Sequence, residues 1–162
     1  MYEVKLSDEQ LATFDRHVIH KLKTLEEATP IVEETIRQKR KLLFVCNQVK
    51  RAQRLYMELH EKYPEVPSML IHSRFKRGDR SRLEQDLKEK YDKGTEACIV
   101  VSTQVVEVSL DISFDVMITE CAPMDSLIQR FGRINRRRSY ETIGQQKPIY
   151  VLAPPDQEAE CK

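Results

Sequence analysis

Five short apolar runs, each followed by a polar or basic segment, constrain the fold of this chain more than any other feature of its sequence. Each run has the length and the unbroken apolar character of a strand that is buried on both faces. Two charged stretches with apolar residues at helical spacing lie among them, at 48–63 and 79–94. Alternating strands and helices of this kind predict an α/β fold, a parallel sheet with helices on both faces. The predicted strands are 41–46, 68–72, 97–102, 115–121 and 148–153.

Two further helices are predicted ahead of the first strand. A capping box that begins at Ser7 opens a helix over 7–22. Thr29, followed by a proline, fits a helix cap and a first turn, and opens a second helix over 30–41. We therefore divide the chain into an N-terminal helical segment packed on the domain (1–40), a domain of strands and helices (41–153) and a C-terminal tail (154–162).

The composition fits one soluble globular domain. The chain has 162 residues, 40% of them apolar, and its 27 Lys and Arg residues are balanced by 26 Asp and Glu residues. No stretch approaches the roughly 20 apolar residues that span a bilayer, and the first residues lack the features of a signal peptide. We therefore expect a cytoplasmic protein with no membrane partner. The four cysteines are far apart in the sequence, so we expect neither a disulfide nor a zinc site.

Positive charge is concentrated in one segment. Residues 129–138 hold five arginines in ten positions, and no acidic residue interrupts them. If the helix predicted after the fourth strand continued through this segment, Arg130, Arg133 and Arg136 would project within one arc and converge on one target. Charge alone favours a simpler interpretation, which is a solvated basic face or a patch that grips nucleic-acid phosphates.

The sequence contains no phosphate-binding loop of its own. The pattern GxxxxGK[ST] needs two glycines five positions apart, and the four glycines of the chain offer neither this pair nor GxGxxG. His60 begins a sequence that resembles HExxH, but Pro64 stands where the second histidine would be. We therefore predict no metal site and no nucleotide cradle within this chain.

Four sequence motifs, in order, resemble those of superfamily-two helicases. QRFGRINR (129–136) resembles motif VI, and STQVVEVSLDI (102–112) resembles motif V. LLFVCNQVKRAQRLYMEL (42–59) resembles motif IV, and IHSRFKRGDR (71–80) resembles the segment that follows it. The resemblance covers residues 41 to about 138. It implies that the domain at 41–153 is the second RecA-like domain of such a motor, with a parallel sheet of about five to six strands.

Details of these motifs are similar to the helicase-nuclease of type I CRISPR systems. They are STQVVEVSLDI, then CAPMDSLIQRFGRINRR, with HSRFKRGDR upstream. RNA helicases of the DEAD-box kind usually have acidic, arginine and glycine residues where this chain has Gln104, Val108 and Ser109. The resemblance implies an enzyme that unwinds and degrades DNA after an RNA-guided complex has marked it.

The resemblance assigns roles to residues of motifs V and VI. In motors of this type, ATP binds between two RecA-like domains, and the first domain supplies the phosphate loop, the magnesium ligands and the catalytic glutamate. By analogy, Arg133 and Arg136 would be the catalytic arginines that reach the γ-phosphate, supported by the nucleotide-binding residues Gln129 and Arg130. Asp111 would contact the nucleotide ribose, although a turn or a helix cap explains it equally well.

Residues at the ends of two predicted strands would contact the nucleic-acid strand. Ser73 and Arg74 follow the second strand, and Thr103 and Gln104 follow the third. Hydroxyl, amide and backbone N–H groups suit phosphate contacts that carry no sequence information. Ser73 could also serve only as a turn residue. Glu107 is typical of the resembled family, and an ion pair with an arginine is the one physical role that the sequence offers for it.

The resemblance also implies the cofactors and partners of the complete protein. ATP and Mg²⁺ would bind to the complete protein, and neither would be held by this chain alone. The partners would be the first RecA-like domain, on the same or a separate chain, single-stranded DNA and an RNA-guided CRISPR surveillance complex. Two alternatives are open: half of a DEAD-box RNA helicase, or a stand-alone nucleic-acid-binding or adaptor module, against which the near-neutral net charge argues.

Overall fold

The computed structural model describes residues 7, 15–72, 85, 96–109, 113–136 and 143–154. Within these ranges, six parallel strands form one sheet in the order β1-β6-β5-β2-β4-β3. The five strands predicted from the sequence are all present, and a sixth, β1, lies at one edge. The strands are β1 (His17–Leu22), β2 (Lys41–Val45), β3 (Ser68–Ile71), β4 (Cys98–Ser102), β5 (Val116–Glu120) and β6 (Lys147–Leu152).

Four helices lie in the described ranges, and a short 3₁₀ turn at Glu26–Ala28 precedes the first of them. They are α1 (Thr29–Arg37), α2 (Val49–Lys62), α3 (Val105–Ser109) and α4 (Met124–Phe131). The helices predicted over 30–41 and 48–63 are present as α1 and α2, and α1 has a proline in its first turn as expected. α1 ends at Arg37, earlier than predicted, and its N-cap is Ala28, so Thr29 lies inside the helix and is not the cap that the sequence predicted. The helix predicted over 79–94 lies outside the described residues. None of these four helices is long and apolar enough to cross a membrane.

The central strands separate two hydrophobic cores. Successive side chains of a strand point to opposite faces of the sheet, so each buried strand contributes to both cores. One core joins β2 to α1 and α2 and includes Val32, Leu42, Phe44, Ala52 and Leu55. The other joins β2 to α3 and to the segments beside β5 and α4, and includes Leu43, Val45, Val106, Phe114 and Ile134. Helices therefore cover both faces of the sheet, as predicted.

The helix predicted over 7–22 is wrong for residues 15–22, because 15 and 16 have no regular secondary structure and the next six residues form a strand. His17–Leu22 forms β1, which pairs in parallel with β6. The start of β1 is held by Asn135, whose Nδ2 donates to Arg16 O at 3.3 Å and to Gln145 O at 2.8 Å. Pairing with β6 decides the conformation here, and local capping signals do not report such a tertiary contact. Part of the predicted N-terminal segment thus belongs to the sheet, while the boundaries proposed at 40 and 153 stay predictions.

α4 ends at Phe131 and does not continue through the arginine segment. The N–H of Phe114 donates to Arg133 O at 3.0 Å, and the N–H of Asn135 donates to Phe114 O at 3.2 Å. These bonds form a short parallel bridge that places Ile134 in the core with 0% of its surface exposed. Asn135 adopts a left-handed conformation with φ of 51°. The i, i+3 spacing of the arginines had suggested that the helix continues. Instead, the bridge and the burial of Ile134 take the place of the helical hydrogen bonds.

Candidate functional site

The carboxyl ends of β2, β4 and β5 meet at one edge of the sheet, where ligands bind to open parallel sheets. Asn47, Thr103 and Glu120 lie at or just beyond these three ends. α4 follows β5 and carries the first arginine of the motif, Arg130, in its last turn. The side chain of Arg130 contacts the same edge, so the arginine motif and the strand ends form one site.

Arg130 is buried beneath this edge with 1% of its surface exposed. Its Nε–H donates to Glu107 Oε1 at 2.9 Å. Its Nη1 donates to Thr119 Oγ1 at 2.9 Å and to Glu120 O at 3.2 Å, and its Nη2 donates to Asn47 Oδ1 at 3.1 Å. Charge-assisted bonds of this kind are about twice as strong as neutral ones. The guanidinium therefore joins α4 to α3 and to the ends of β2 and β5.

Glu107, in α3, contacts two arginines of the motif. Its carboxylate forms the ion pair with Arg130, and its side chain is 10% exposed. Its main-chain carbonyl accepts a hydrogen bond from Arg133 Nη2 at 2.6 Å. The ion pair with an arginine that the sequence offered for Glu107 is confirmed, and Arg130 is the partner.

Arg133 and Arg136 do not share a helical arc with Arg130. Arg133 lies in the turn after α4 and is half-buried, with its Nη2 on the carbonyl of Glu107. Arg136 is exposed, and its backbone N–H donates to Ser113 Oγ at 3.0 Å. The structure thus brings Arg130 and Arg133 together at Glu107 and places Arg136 at the surface beyond them.

The other predicted site residues have different surroundings. Gln129 is exposed on α4, and Gln104 is exposed just after β4. Thr103 is 2% exposed, and within the described ranges its Oγ1 has no hydrogen-bond partner. A buried hydroxyl costs free energy unless a water or a ligand satisfies it, so Thr103 is a suitable position for a phosphate contact. Three predicted residues lie outside the described part of the chain: Ser73, Arg74 and Asp111.

Asn47 and Glu120 belong to the site, although our sequence analysis gave them no role. Glu120 is 7% exposed, its Oε2 accepts the N–H of Asn47 at 2.7 Å, and its Oε1 pairs with Arg51 at 2.9 Å. Asn47 Nδ2 donates to Cys121 O at 2.8 Å. Their position at the ends of buried strands was the available signal, because a carboxylate or an amide there is close to the ligand edge.

A cavity of about 640 Å³ opens at the carboxyl ends of β1, β6, β5 and β2. Among the described residues, the cationic side chains that line it are Lys21, Lys23 and Arg51, together with Glu120, which is paired with Arg51. Cys121 also lines the cavity and is exposed. The excess of positive charge suits an anionic ligand such as a phosphate.

Two buried cysteines are not nucleophiles at neutral pH. Burial raises the pKa of the Cys46 thiol to about 12, and the Glu120 carboxylate adds to this, while Arg51 and Arg130 oppose it. Burial likewise raises the pKa of Cys98 to about 12. Both thiols therefore stay protonated and serve as apolar packing groups.

The donor set at this edge fits a phosphate better than a metal ion. Among the residues that the structure describes, no group of three or more His, Cys, Asp or Glu side chains could hold a metal. Of the acidic side chains described at this edge, Glu107 and Glu120 are each paired with an arginine. Guanidinium groups bind phosphate oxygens through matched pairs of N–H donors.

Comparison with known families identifies the group to which this architecture belongs. The family model described as "CRISPR-associated nuclease/helicase Cas3, C-terminal" matches residues 38–139. The chain belongs to this Cas3 family. The similarity to the CRISPR helicase-nuclease that the motifs indicated is thereby confirmed, and the matching part is the C-terminal helicase domain.

Two relatives show how much of a Cas3 protein this chain matches. The CRISPR-associated endonuclease/helicase Cas3 of Escherichia coli (strain K12) is 39% identical over 119 residues, which cover 70% of this chain and 13% of that protein. The CRISPR-associated nuclease/helicase Cas3 of Streptococcus thermophilus is 37% identical over 123 residues, which cover 74% of this chain and 13% of that protein. The chain therefore corresponds to a small part of each Cas3 relative.

Solved structures have the same fold. The crystal structure of T. fusca Cas3-AMPPNP superposes with a TM-score of 0.72 and 25% identity, over 88% of this chain and 19% of that one. A CRISPR RNA-guided surveillance complex, pre-nicking, contains a chain that matches with a TM-score of 0.67 and 27% identity, over 90% of this chain and 20% of that one. Domain 2 of the DEAD-box helicase Mss116p, bound to an RNA duplex, shares only the fold, at 17% identity and a TM-score of 0.66 over 86% of this chain and 55% of that one. The predicted RecA-like parallel sheet is confirmed.

Proposed function

We propose that this chain is the second motor domain of an ATP-dependent single-stranded DNA translocase or helicase in CRISPR antiviral defence. It supplies Arg133 and Arg136 to an ATP site that it shares with a first RecA-like domain, carried by the same or a separate chain. The buried contact of Arg130 with Glu107 carries this proposal, because it anchors the segment of Arg133 and Arg136 at the ligand edge of a Cas3 C-terminal domain.

Arg130 and its neighbours have separate roles in this proposal. The guanidinium of Arg130 makes four hydrogen bonds inside the domain, so it would have to break them to reach a nucleotide. We therefore assign Arg130 to holding the motif in place. Gln129, exposed one position earlier, supports the nucleotide phosphates, and Asp111 contacts the ribose.

Arginine suits the reaction that we propose, which is phosphoryl transfer to water. Negative charge is spread over the phosphate oxygens in the transition state, so catalysis consists mainly of positioning and charge stabilisation. An arginine finger is worth about 10³ to 10⁵ in rate, or roughly 4 to 7 kcal/mol of transition-state stabilisation. Mg²⁺, which the first domain would hold together with ATP, would supply positive charge to the phosphates. Because the arginines and the ATP lie on different domains, hydrolysis would depend on closure of the cleft between them.

The nucleic-acid strand would bind along the same edge. Contacts to phosphates carry no sequence information, as a motor that moves along any sequence requires. The buried Oγ1 of Thr103 and the cavity lined by Lys21 and Lys23 support this placement. The strand-contact residues in this proposal are Ser73, Arg74, Thr103 and Gln104.

The complete protein would supply what this chain lacks. The sequence contains no phosphate-binding loop, so we expect the chain alone neither to bind ATP tightly nor to hydrolyse it. Similarity to a chain of a CRISPR RNA-guided surveillance complex supports a complex of this type as the partner of the complete protein.

The test compares the ATPase activity of the complete protein with and without single-stranded DNA. We expect Arg133→Ala and Arg136→Ala each to lower kcat by about 10³ to 10⁵ while leaving DNA affinity unchanged, because an arginine finger acts on the transition state. Arg54→Ala is the matched control, since Arg54 is exposed on α2, away from the arginine motif. Binding of labelled single-stranded DNA at several salt concentrations is measured in parallel.

Three results would contradict the proposal. The Arg133 and Arg136 variants could hydrolyse ATP at the wild-type rate but lose salt-sensitive DNA binding. That result would show that the arginines bind nucleic-acid phosphates, and it would favour an adaptor module. Magnesium-dependent ATP hydrolysis by the purified chain alone would show that no second domain is needed. A preference for RNA over DNA of the same sequence would favour an RNA helicase, which contacts the 2′-hydroxyl.

A further inference from the structure

Glu107 lies between two arginines of the motif, the buried Arg130 and the half-buried Arg133. Its carboxylate accepts the Nε–H of Arg130 at 2.9 Å, and its main-chain carbonyl accepts Nη2 of Arg133 at 2.6 Å. One residue of α3 therefore contacts both the arginine that anchors the motif and an arginine that we propose to act in hydrolysis.

Within the described ranges, the Glu107 carboxylate is the acidic side chain that compensates Arg130. The other acceptors of that guanidinium are the hydroxyl of Thr119, the carbonyl of Glu120 and the amide oxygen of Asn47, all formally neutral groups. Because the Arg130 guanidinium has 1% of its surface exposed, water cannot compensate its positive charge. Removal of the Glu107 carboxylate would therefore favour movement of Arg130, and with it of the end of α4.

The backbone after α4 transmits such a movement to Arg133. The N–H of Arg133 donates to Arg130 O at 2.9 Å, which closes the turn between the two arginines. The packing of Val106, which is 0% exposed, keeps α3 against the core, so the carbonyl of Glu107 is a fixed point for Arg133 Nη2. Arg133 is thus located by α3 on one side and by Arg130 on the other.

We infer that Glu107 is a positioning residue for ATP hydrolysis, which fixes Arg133 through its main-chain carbonyl and, by way of Arg130, through its carboxylate. The inference rests on the proposed function, because it concerns the arginines of the same ATP site. Glu107 touches neither substrate nor reacting atoms in this arrangement. Its effect is to hold the Arg133 guanidinium at the place where the phosphate charge develops.

The test measures kcat and KM for ATP in the complete protein with Glu107→Ala and Glu107→Gln. Misplacement of a catalytic group by about 1 Å can cost about 100-fold, so we expect Glu107→Ala to lower kcat by about 100-fold. The KM for ATP should stay within about threefold, because the lost interaction belongs to the transition state. Glu107→Gln keeps an oxygen acceptor for Arg130 but removes the negative charge, so the ion pair becomes a hydrogen bond from the guanidinium to a neutral amide. We expect this smaller change to lower kcat by about tenfold.

Matched controls separate positioning from folding. Glu58→Ala and Glu58→Gln alter an exposed glutamate of α2 and should behave as wild type. Thermal melting by circular dichroism gives the folded fraction of every variant, and kcat is calculated per folded molecule. If Glu107→Ala does not fold, the tenfold loss expected for Glu107→Gln carries the test.

Each remaining outcome has one meaning. Wild-type kcat per folded molecule in both Glu107 variants would overturn the positioning role, and so would a raised KM with unchanged kcat. Either result leaves the proposed function intact as long as Arg133→Ala still abolishes hydrolysis. If Arg133→Ala also hydrolyses ATP at the wild-type rate, the proposed function itself is wrong. A fall in kcat at constant KM, ordered Ala below Gln below wild type, supports the inference.

Discussion

Replacing Arg130 by methionine tests whether this residue holds the site together. The substitution preserves most of the apolar stem but removes a guanidinium that is 1% exposed and makes four hydrogen bonds. It leaves the carboxylate of Glu107, whose side chain is 10% exposed, without its cation. Breaking a buried ion pair in this way costs about 3 to 5 kcal/mol. That is a large share of the roughly 5 to 15 kcal/mol by which domains are stable.

Urea denaturation of the 162-residue chain, followed by far-UV circular dichroism, measures this cost. With a slope of about 2 kcal/mol per M, a loss of about 3 to 5 kcal/mol lowers the midpoint by about 1.5 to 2.5 M. Arg54→Met, an exposed change on α2, should shift the stability by no more than about 0.5 kcal/mol. Adding Glu107→Leu to Arg130→Met removes the buried lone charge and should restore at least about 1 kcal/mol. Equal shifts for the Arg130 and Arg54 variants, or a double variant no more stable than Arg130→Met, would refute the buried-charge argument.

Two further predictions concern thiol reactivity and backbone strain. In a chain with Cys161→Ser, a thiol reagent at pH 8 should modify Cys121 quickly, whereas Cys46 and Cys98, with pKa values of about 12, should react only after unfolding. Three equally fast thiols in the native chain would contradict their burial. Lys39, exposed after α1 with φ of 53°, is strained in the left-handed region, so Lys39→Gly should raise the free energy of unfolding by about 0.5 to 1 kcal/mol. Lys39→Ala keeps the strain, and an equal gain from it in urea denaturation would argue against this explanation.

The predictability of the strands follows from their place in the sheet. A strand buried on both faces must be apolar throughout, and β2, β4 and β5 are visible in the sequence for that reason. β1 lies at the edge, and Val18 and Ile19 are exposed by 38% and 58%, so no burial pattern marks it. Its conformation is selected by β6 and by Asn135, which are distant in the sequence, and the capping signal at Ser7 suggested a helix instead.

The candidate site was predictable as a set of motifs but not as a network. Motif order predicts which residues meet a nucleotide, and those roles stay predictions, while the strand-end rule indicates the edge of the sheet where ligands bind. The contact between Arg130 and Asn47 joins residues 83 positions apart, and no local pattern encodes such a pair. The end of α4 at Phe131 was also hidden, because the burial of Ile134 against Phe114 overrides a helical spacing of arginines.

The parallel pairing of β1 with β6 affects how the protein is made. The partner of β1 is translated roughly 130 residues after it, which takes roughly 6 to 26 s at about 5 to 20 residues per second. Parallel strands so distant in sequence pair slowly, because the loop-closure entropy is lost before the contacts form. During that interval the β1 segment has no β6 with which to pair, whereas the pairs among β2, β3, β4 and β5 do not need it. The sheet would thus be completed last at its β1 edge, where a nascent chain is most open to chaperones and to mispairing.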